Sequence, residues 1–539
     1  MDLDMQNRIQ DDGSANAKSE SVTNYLTGWR LIVTTVGVLL CLYLVNIEVT
    51  IVSTSLVSIT NDLHGFEKTN WIVTGYLITY TGFIIIWTKL SDIFGRKAAI
   101  IAAMVLFSAF SGGCGGAQTI NQLIIFRSLQ GVGAAGAYSM SILTVYDMVP
   151  KNRLALNGVF ISMAIAGATL TGPIFAGVIN EHSTWRWVFF MNVPAGIIAV
   201  ALLAVSIPAG FGTASPGTKV SQALAWHNIR RLDFLGAGLL LSASLLLVAA
   251  LQETAIEFTW SSGATIAMLT LSGLCWITFF MWEWYLTERA TSYIEPVFPW
   301  RFMRSRPWVG MLITTFLVGS PFNVVVVAIP QRLQTVSAMS VLNAGIRLIP
   351  FSLSGALSSA LANMVCSRFH IPPFFFLLLG AALNLTGLSL LSSLPLDDFP
   401  RSGYAYEAIT ASGIGCTFGI LVLATPFMVA ARDLAVATGA IIQFRFLGGA
   451  IGLSIASNIL NSALRSRLAG LLDAETLRLL LDNIDVIKTL TPDAQVAVKE
   501  VFSRAYRTQF LVTVGFAAAQ IPAAFLLLKR GRQIRTIEM

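Results

Sequence analysis

The chain has 539 residues, of which 55% are hydrophobic and 12% are charged. Ordinary soluble domains carry about 25% charged residues, so the composition excludes a soluble protein and favours one whose surface faces lipid. The net charge of +7 would suit a nucleic-acid-binding protein, but the distribution of basic residues described below indicates membrane orientation instead.

Residues 1–28 are polar and lack the basic stretch, apolar run and cleavage site of a signal peptide. We expect 1–28 to be a disordered cytoplasmic tail, with the first span acting as its own insertion signal. The five cysteines are scattered without CxxC pairing, which predicts neither a disulfide framework nor a metal site.

A helix needs about 20 mainly apolar residues to cross the hydrocarbon core of a bilayer. That window predicts fourteen spans, with approximate bounds 31–54, 70–90, 98–117, 122–145, 155–179, 186–207, 233–251, 264–285, 308–330, 342–364, 371–393, 405–430, 436–460 and 508–528.

Cytoplasmic loops of membrane proteins are rich in Lys and Arg. With the N-terminus inside, the inner segments hold 21 of the 35 basic residues and the short outer loops hold four. Seven more lie in the long segment 461–507, and three lie within spans: Arg127, Arg347 and Arg445. The count predicts that both termini are cytoplasmic and that 461–507 is extracellular.

The segment 461–507 contains Thr491-Pro492-Asp493, which has the chemistry of a helix start. The following AQVAVKEVFSRAYRTQF alternates apolar and charged faces at helical spacing. We expect a helix lying on the outer leaflet here, in preference to a ligand-binding domain. The segment 209–232 begins with Gly, Ser and Pro and is predicted to be a cytoplasmic connector.

The loop after the second span reads KLSDIFGRK, from Lys89 to Lys97. Gly95 permits a tight turn between antiparallel helices, and Arg96 can pair with a carboxylate on a neighbouring helix. Taken alone, the loop fits a conformational gate and a positive-inside topology anchor equally well.

This string resembles the cytoplasmic motif G-x-L-S-D-x-x-G-R-K of the major facilitator superfamily. Further motifs follow: EVTIVSTSL in span one, IIFRSLQGVGAAGA in span four, GATLTGPIFAG in span five and WRWVFFMNVPAG leading into span six. Together they resemble the fourteen-span drug:proton antiporter branch over residues 30 to 530, and fungal toxin and multidrug efflux pumps most closely. Thr88, Glu48 and Val57 depart from the usual Gly, Asp and Pro, and Thr88 predicts looser packing at the end of span two.

The resemblance implies an all-α polytopic membrane protein with the major facilitator fold: two six-helix bundles and two inserted central spans. The expected organisation is an N-terminal bundle at 29–208, the connector, inserted spans at 233–285, a C-terminal bundle at 286–528 that includes the extracellular loop 461–507, and a tail at 529–539.

The resemblance also implies roles for individual residues, each beside a structural alternative. Glu48 and Arg127 are expected to couple protons, or else to form a buried structural pair. Gly172, Pro173 and Gly177 match the antiporter motif, although small residues and a proline also serve helix packing. The gating set is Asp92, Gly95, Arg96, Lys97 and Asp147, with Asp147 pairing with Arg96 when the transporter faces outward or remaining a solvated surface acid.

Five further residues are expected to line a cavity or to serve packing: Tyr76, Tyr80, Tyr138, Gln443 and Arg445. For Arg445 an interhelical hydrogen bond is the alternative, and Arg347 is shallow enough to extend to the interface.

The sequence therefore predicts a secondary transporter that exports small organic molecules, a toxin, secondary metabolite or drug, by proton antiport. We expect a monomer in the plasma membrane or an internal membrane, with no cofactor beyond the proton gradient and no catalytic residues. An importer or vacuolar carrier of a siderophore chelate or basic amino acid remains open. A membrane-embedded enzyme is disfavoured because the four histidines sit singly.

Overall fold

The structure is a computed structural model that describes residues 25–150, 154–208, 211, 233–254, 258–289, 294, 296–396, 399–429 and 433–528. Most of the predicted tail 1–28, all of the connector 209–232 except Phe211, and the tail 529–539 lie outside the described residues.

Among the described residues every regular element is a helix, and none is a strand. The helices are α1 (Gly28–Leu63), α2 (Thr69–Phe94), α3 (Arg96–Gly115), α4 (Ile120–Met148), α5 (Leu154–His182), α6 (Trp187–Ser206, broken at Met191), α7 (Phe234–Glu253), α8 (Gly263–Glu288), α9 (Arg306–Thr335), α10 (Val341–Phe369, broken at Leu348), α11 (Pro373–Ser392), α12 (Ser402–Met428), α13 (Leu434–Leu468), α14 (Ala474–Asp482) and α15 (Pro492–Phe525).

Thirteen described helices are long and apolar enough to cross a membrane. The predicted fourth span corresponds to α4, which has 29 residues and is therefore long enough. It falls outside the thirteen because Arg127, Gln130 and a run of Gly, Ala and Ser make it less apolar. The count of fourteen spans stays a prediction.

The helices form two bundles. In the first, α1 packs against α4, α5 and α6, while α4 also contacts α2 and α3. In the second, α9 contacts α12, α13 and α15, and α12 contacts α10 and α11. The bundles meet along α2 with α13 and along α5 with α10, and α7 of the α7–α8 pair packs against both α2 and α13.

The predicted surface helix after Pro492 is wrong. Residues Pro492–Phe525 form a single helix of 34 residues, and the apolar side chains of its first half, Val498, Phe502 and Tyr506, are buried in the second bundle. Likewise α13 continues to Leu468, so that most of 461–507 is helix rather than loop. The amphipathic pattern at 494–507 therefore reflects one face packed on protein and another facing solvent.

On the side predicted to be outer, the two bundles are in contact. Glu67 at the start of α2 pairs with Arg465 of α13 at 2.7 Å, and Asn61 of α1 donates to Asp485 at 2.7 Å. Deeper in, Gln334 donates to the Thr54 carbonyl at 3.1 Å. These contacts join the two bundles on that side.

Candidate functional site

The first bundle holds a buried ion pair. Glu48 on α1 and Arg127 on α4 are both fully buried, and the Arg127 Nη1 to Glu48 Oε1 distance is 2.6 Å. Arg127 Nε also donates to the Ile72 carbonyl at 3.2 Å. Two charges removed from water are tolerated when they are paired and hydrogen-bonded, and this geometry meets that condition.

Three polar side chains complete the pair, and we call the set of Glu48, Arg127, Gln130, Asn192 and Ser111 the acid site. Arg127 Nη1 donates to Gln130 at 2.7 Å, and Gln130 donates to Ser111 at 2.9 Å. Asn192 of α6 donates both to Glu48 Oε2 and to Ser111. Asn192 was not predicted as a site residue, although it stands in the quoted motif WRWVFFMNVPAG.

An aromatic column leads from the acid site toward the second bundle. The Arg127 guanidinium carbon lies 4.2 Å from the centre of the Tyr76 ring, and the Tyr76 and Tyr80 rings are 5.7 Å apart. Tyr80 then contacts Phe446 of α13, with 4.0 Å between ring centres. Tyr138 lies against both Tyr80 and Phe446. The three tyrosine hydroxyls are buried without a hydrogen-bond partner among the described residues.

A cavity lies between the bundles beside this column, and its empty space of about 1190 Å³ includes a part that is open to solvent. Its walls come mainly from the second halves of α4 and α12, from α5 and from α10. Asn46 of α1, Phe322 of α9 and Arg445 of α13 also line it. Since α4 and α12 end on the predicted cytoplasmic side, the cavity lies in the inner half of the protein.

Of the five predicted cavity residues, Tyr138 and Arg445 line the cavity. Tyr76 and Tyr80 lie behind its wall in the aromatic column. Gln443 is buried, and neither polar atom of its amide has a hydrogen-bond partner among the described residues. The alternative role predicted for Arg445 is an interhelical hydrogen bond. Its side chain makes no such bond to the described residues.

The predicted gating residues lie at the inner end of the first bundle. Gly95 has φ 87°, the conformation that favours glycine, and joins α2 to α3. Arg96 Nε lies 2.9 Å from Asp147 Oδ2 at the end of α4. Lys97 donates to the carbonyls of Ala204 and Ile207, where a cation satisfies the C-terminal end of α6.

The Arg96–Asp147 pair joins α3 to α4, and both helices belong to the first bundle. The pair is formed in this structure, and its dependence on an outward-facing form stays a prediction. The side chain of Asp92 lies outside the described residues.

The end of α2 meets α13 closely, despite the threonine that predicted looser packing. Thr88 is fully buried, and a Cβ added to Gly439 of α13 would lie 3.2 Å from its methyl group. The prediction of looser packing is therefore wrong, because Gly439 supplies on α13 the space that the usual glycine would have supplied on α2.

The antiporter motif on α5 faces both bundles. A Cβ on Gly172 would lie 2.0 Å from Thr50 Oγ1 of α1, within the first bundle. Pro173 and Gly177 instead face α10, because a Cβ on Gly345 would lie 2.5 Å from the Pro173 carbonyl oxygen and one on Gly177 would lie 2.4 Å from Leu342 Cα. The motif therefore packs helices closely and forms part of the outer contact between the bundles.

Two buried acids in predicted spans were missed. Glu407 on α12 is fully buried, and neither of its carboxyl oxygens has a hydrogen-bond partner among the described residues. Glu283 on α8 is buried close to Asp233, which accepts hydrogen bonds from Trp282 and the Gly236 amide. Each stands near the end of its apolar run, where a charge is easily attributed to the interface.

Comparison with known proteins places this arrangement in a family. Residues 36–453 match the model of the Major Facilitator Superfamily. The chain is 39% identical over 518 residues to the MFS-type transporter FPY5 of Fusarium mangiferae, covering 96% of this chain and 86% of that protein. It is 28% identical to the efflux pump aunC of Aspergillus niger, covering 84% and 78% of the two chains.

Among solved structures, a bacterial homologue of the human lysosomal transporter Spinster superposes with a TM-score of 0.62. That match covers 93% of this chain and 97% of the other at 15% identity, which supports the shared fold. With the buried pair, the cavity between two bundles and these relatives, the chain belongs to the Major Facilitator Superfamily and is an integral membrane transporter rather than an enzyme.

Proposed function

We propose that the protein exports small organic molecules in exchange for protons, with the cavity exposed alternately to the two sides of the membrane. The proton gradient is the only energy source, and no cofactor takes part. Several relatives are named efflux pumps, which supports export over import. We further propose that the transporter acts as a monomer in the plasma membrane.

The observation that carries this proposal is the fully buried Glu48–Arg127 pair. A carboxylate in mid-membrane is expensive and is usually functional. Protonation of Glu48 would remove the negative charge that neutralises Arg127, and the acid site would then hold an uncompensated cation. Because α1, α3, α4 and α6 all contribute to the acid site, protonation would favour a different arrangement of these helices.

The aromatic column provides the physical link between proton and substrate. Tyr76 lies against Arg127 at one end, and Tyr80 and Tyr138 lie against Phe446 beside the cavity at the other. Movement of Arg127 would therefore shift Tyr76 and, through Tyr80, the Tyr138 ring that lines the cavity. Phe446 belongs to α13, so the same column crosses from one bundle to the other.

The driving force is adequate for export. Voltage contributes ~2.3 kcal/mol per charge per 100 mV, and each pH unit contributes about 1.4 kcal/mol. One proton that enters down ~100 mV and one pH unit supplies ~4 kcal/mol. That free energy supports an outside-to-inside concentration ratio of a few hundred for a neutral substrate.

The test is Glu48→Gln. Glutamine keeps an oxygen that accepts from Arg127 but cannot release a proton, so uphill transport should fall to a ratio of about one while downhill exchange persists. Inside-out vesicles with an imposed pH gradient would receive naphthalene-1-carboxylate, its neutral amide and 1-naphthylmethylammonium, and each compound that the unmodified protein accumulates would serve as the readout.

Glu407→Gln is the matched control, because Glu407 is an equally buried glutamate in the other bundle without a bond to Arg127. It should retain uphill transport. Continued accumulation by the Glu48→Gln protein would show that Glu48 is structural, and loss in the Glu407→Gln protein alone would move the coupling acid to α12.

A further inference from the structure

Arg445 is a buried cation without a bonded partner among the described residues. Only 7% of its surface is exposed, and no described carboxylate, carbonyl or amide oxygen accepts a hydrogen bond from it. Its guanidinium carbon lies 4.1 Å from the Phe418 ring centre, 4.6 Å from Phe446 and 5.5 Å from Phe322.

The aromatic rings satisfy only part of what the guanidinium requires. They stabilise its positive charge across the ring faces, but its five N–H donors still need acceptors. A buried charge without such acceptors is strongly unfavourable in an apolar site. Arg445 lines the cavity, so the acceptor can arrive from there.

The other described residues that line the cavity are uncharged. Arg445 is the one charged side chain among the described residues that line the cavity, and Asp, Glu, Lys and His are absent from that lining. The walls are dominated by Ile, Val, Phe and Gly, with a few hydroxyl and amide groups.

We propose that the transported substrate is an organic anion: an apolar or aromatic body carrying one carboxylate, or an acidic group of similar geometry, that Arg445 binds through two parallel hydrogen bonds. Phe418, Phe446 and Phe322 hold the guanidinium in place, and Phe418 and Phe322, which line the cavity, flank the bound body. The inference names the substrate class of the proposed exporter and therefore rests on that proposed function.

An anionic substrate has a consequence for energetics. Exchange of one proton for a neutral molecule moves one charge, whereas exchange for a monoanion moves two. At equilibrium, the ratio of substrate outside to substrate inside should therefore rise about fiftyfold for each 100 mV when the substrate is neutral. For a monoanion, which moves two charges per exchange, the same ratio should rise about two thousandfold. Export of an acid is thus favoured by an interior-negative membrane potential.

The experiment measures binding without any gradient, so that its outcome does not depend on proton coupling. The full chain in lipid nanodiscs is titrated calorimetrically with naphthalene-1-carboxylate, naphthalene-1-carboxamide and 1-naphthylmethylammonium. We expect the carboxylate to bind at least tenfold more tightly than the amide, and the ammonium compound to bind most weakly.

Arg445→Gln should remove the preference of carboxylate over amide, and Arg445→Lys should retain part of it because the charge stays while the planar fork is lost. Arg347→Gln, which removes a cation from α10 away from the cavity lining, should leave the preference unchanged. Equal, weaker or absent binding of the carboxylate by the unmodified protein would overturn the proposal, as would an undiminished preference in the Arg445→Gln protein. If the unmodified protein shows this preference but no uphill transport, the result contradicts proton antiport and leaves the anion-binding proposal standing.

Discussion

Arg127 and Arg445 are buried within predicted spans, one in each bundle, and their surroundings differ. Arg127 has a carboxylate, an amide and a backbone carbonyl as acceptors. Arg445 has three aromatic rings and no bonded acceptor among the described residues. Both are buried, so depth alone does not assign a role. The difference indicates that the first charge is balanced within the protein and the second awaits a ligand.

The acids show the same contrast. In the first bundle Glu48 is paired with the arginine, whereas in the second bundle Glu407 is buried without a described hydrogen-bond partner and makes no ion pair with Arg445. The first bundle thus pairs its buried acid with its buried arginine, whereas in the second bundle the cation that interacts with Glu407 is Arg347 and not Arg445. This separation of Glu407 from Arg445 leaves a positive site open to the cavity.

The prediction with the largest expected effect, which is all-or-none, concerns the side of the membrane that positions 97 and 488 face. Single cysteines would be introduced at Lys97 and Lys488 in a cysteine-free background and treated with an impermeant thiol reagent on intact cells. We expect labelling at position 488 and none at 97, because the basic-residue count places 97 inside. The reverse pattern would place the cavity and Arg445 toward the outside.

The next effect concerns stability. Arg127→Gln leaves Glu48 buried without its cation, and breaking such a pair costs about 3–5 kcal/mol. Arg445→Gln removes a charge that has no bonded partner, so the free energy of unfolding should stay the same or rise. Thermal unfolding of both variants in detergent tests this difference, and the double variant Glu48→Gln/Arg127→Gln should recover part of the loss. Equal destabilisation by Arg127→Gln and Arg445→Gln would show that the two arginines do not differ in how their charge is balanced within the protein.

Much of the fold could be predicted because lipid imposes long apolar segments, and helices such as α7 and α11 follow the predicted spans closely. Helix orientation about the axis could not be predicted. These helices are apolar on nearly every side, so no polar stripe indicates which face packs inward. The contact between Tyr80 and Phe446, which joins the bundles, depends on that orientation.

The site was partly predictable for a related reason. Glu48 and Arg127 stand out as charges within apolar runs, and their proximity follows once α1 and α4 pack together. Asn192 is uncharged and Glu407 lies near a span end, so neither contrasts with its surroundings in the sequence. The absence of a bonded partner for Arg445 is a property of several helices together, which a single sequence does not display.

The smallest expected effect concerns a second ion pair of the first bundle. Arg96 and Asp147 are 2.9 Å apart, with 10% and 31% of their side chains exposed, so water weakens their attraction and a coupling free energy of about 1 kcal/mol is appropriate. We predict that Arg96→Asp and Asp147→Arg each reduce transport, and that the two together restore more than either alone.

Recovery should be incomplete, because Arg96 also donates to Ser91 and an aspartate at position 96 cannot reach it. The matched control is the pair Arg304–Glu288, whose side chains are 67% and 38% exposed; reversing both should leave transport unchanged. If the Arg96 and Asp147 changes are strictly additive, the pair does not hold α3 against α4. The acid site would then be the functional ion pair of the first bundle, and its contrast with the unpaired Arg445 would be sharper.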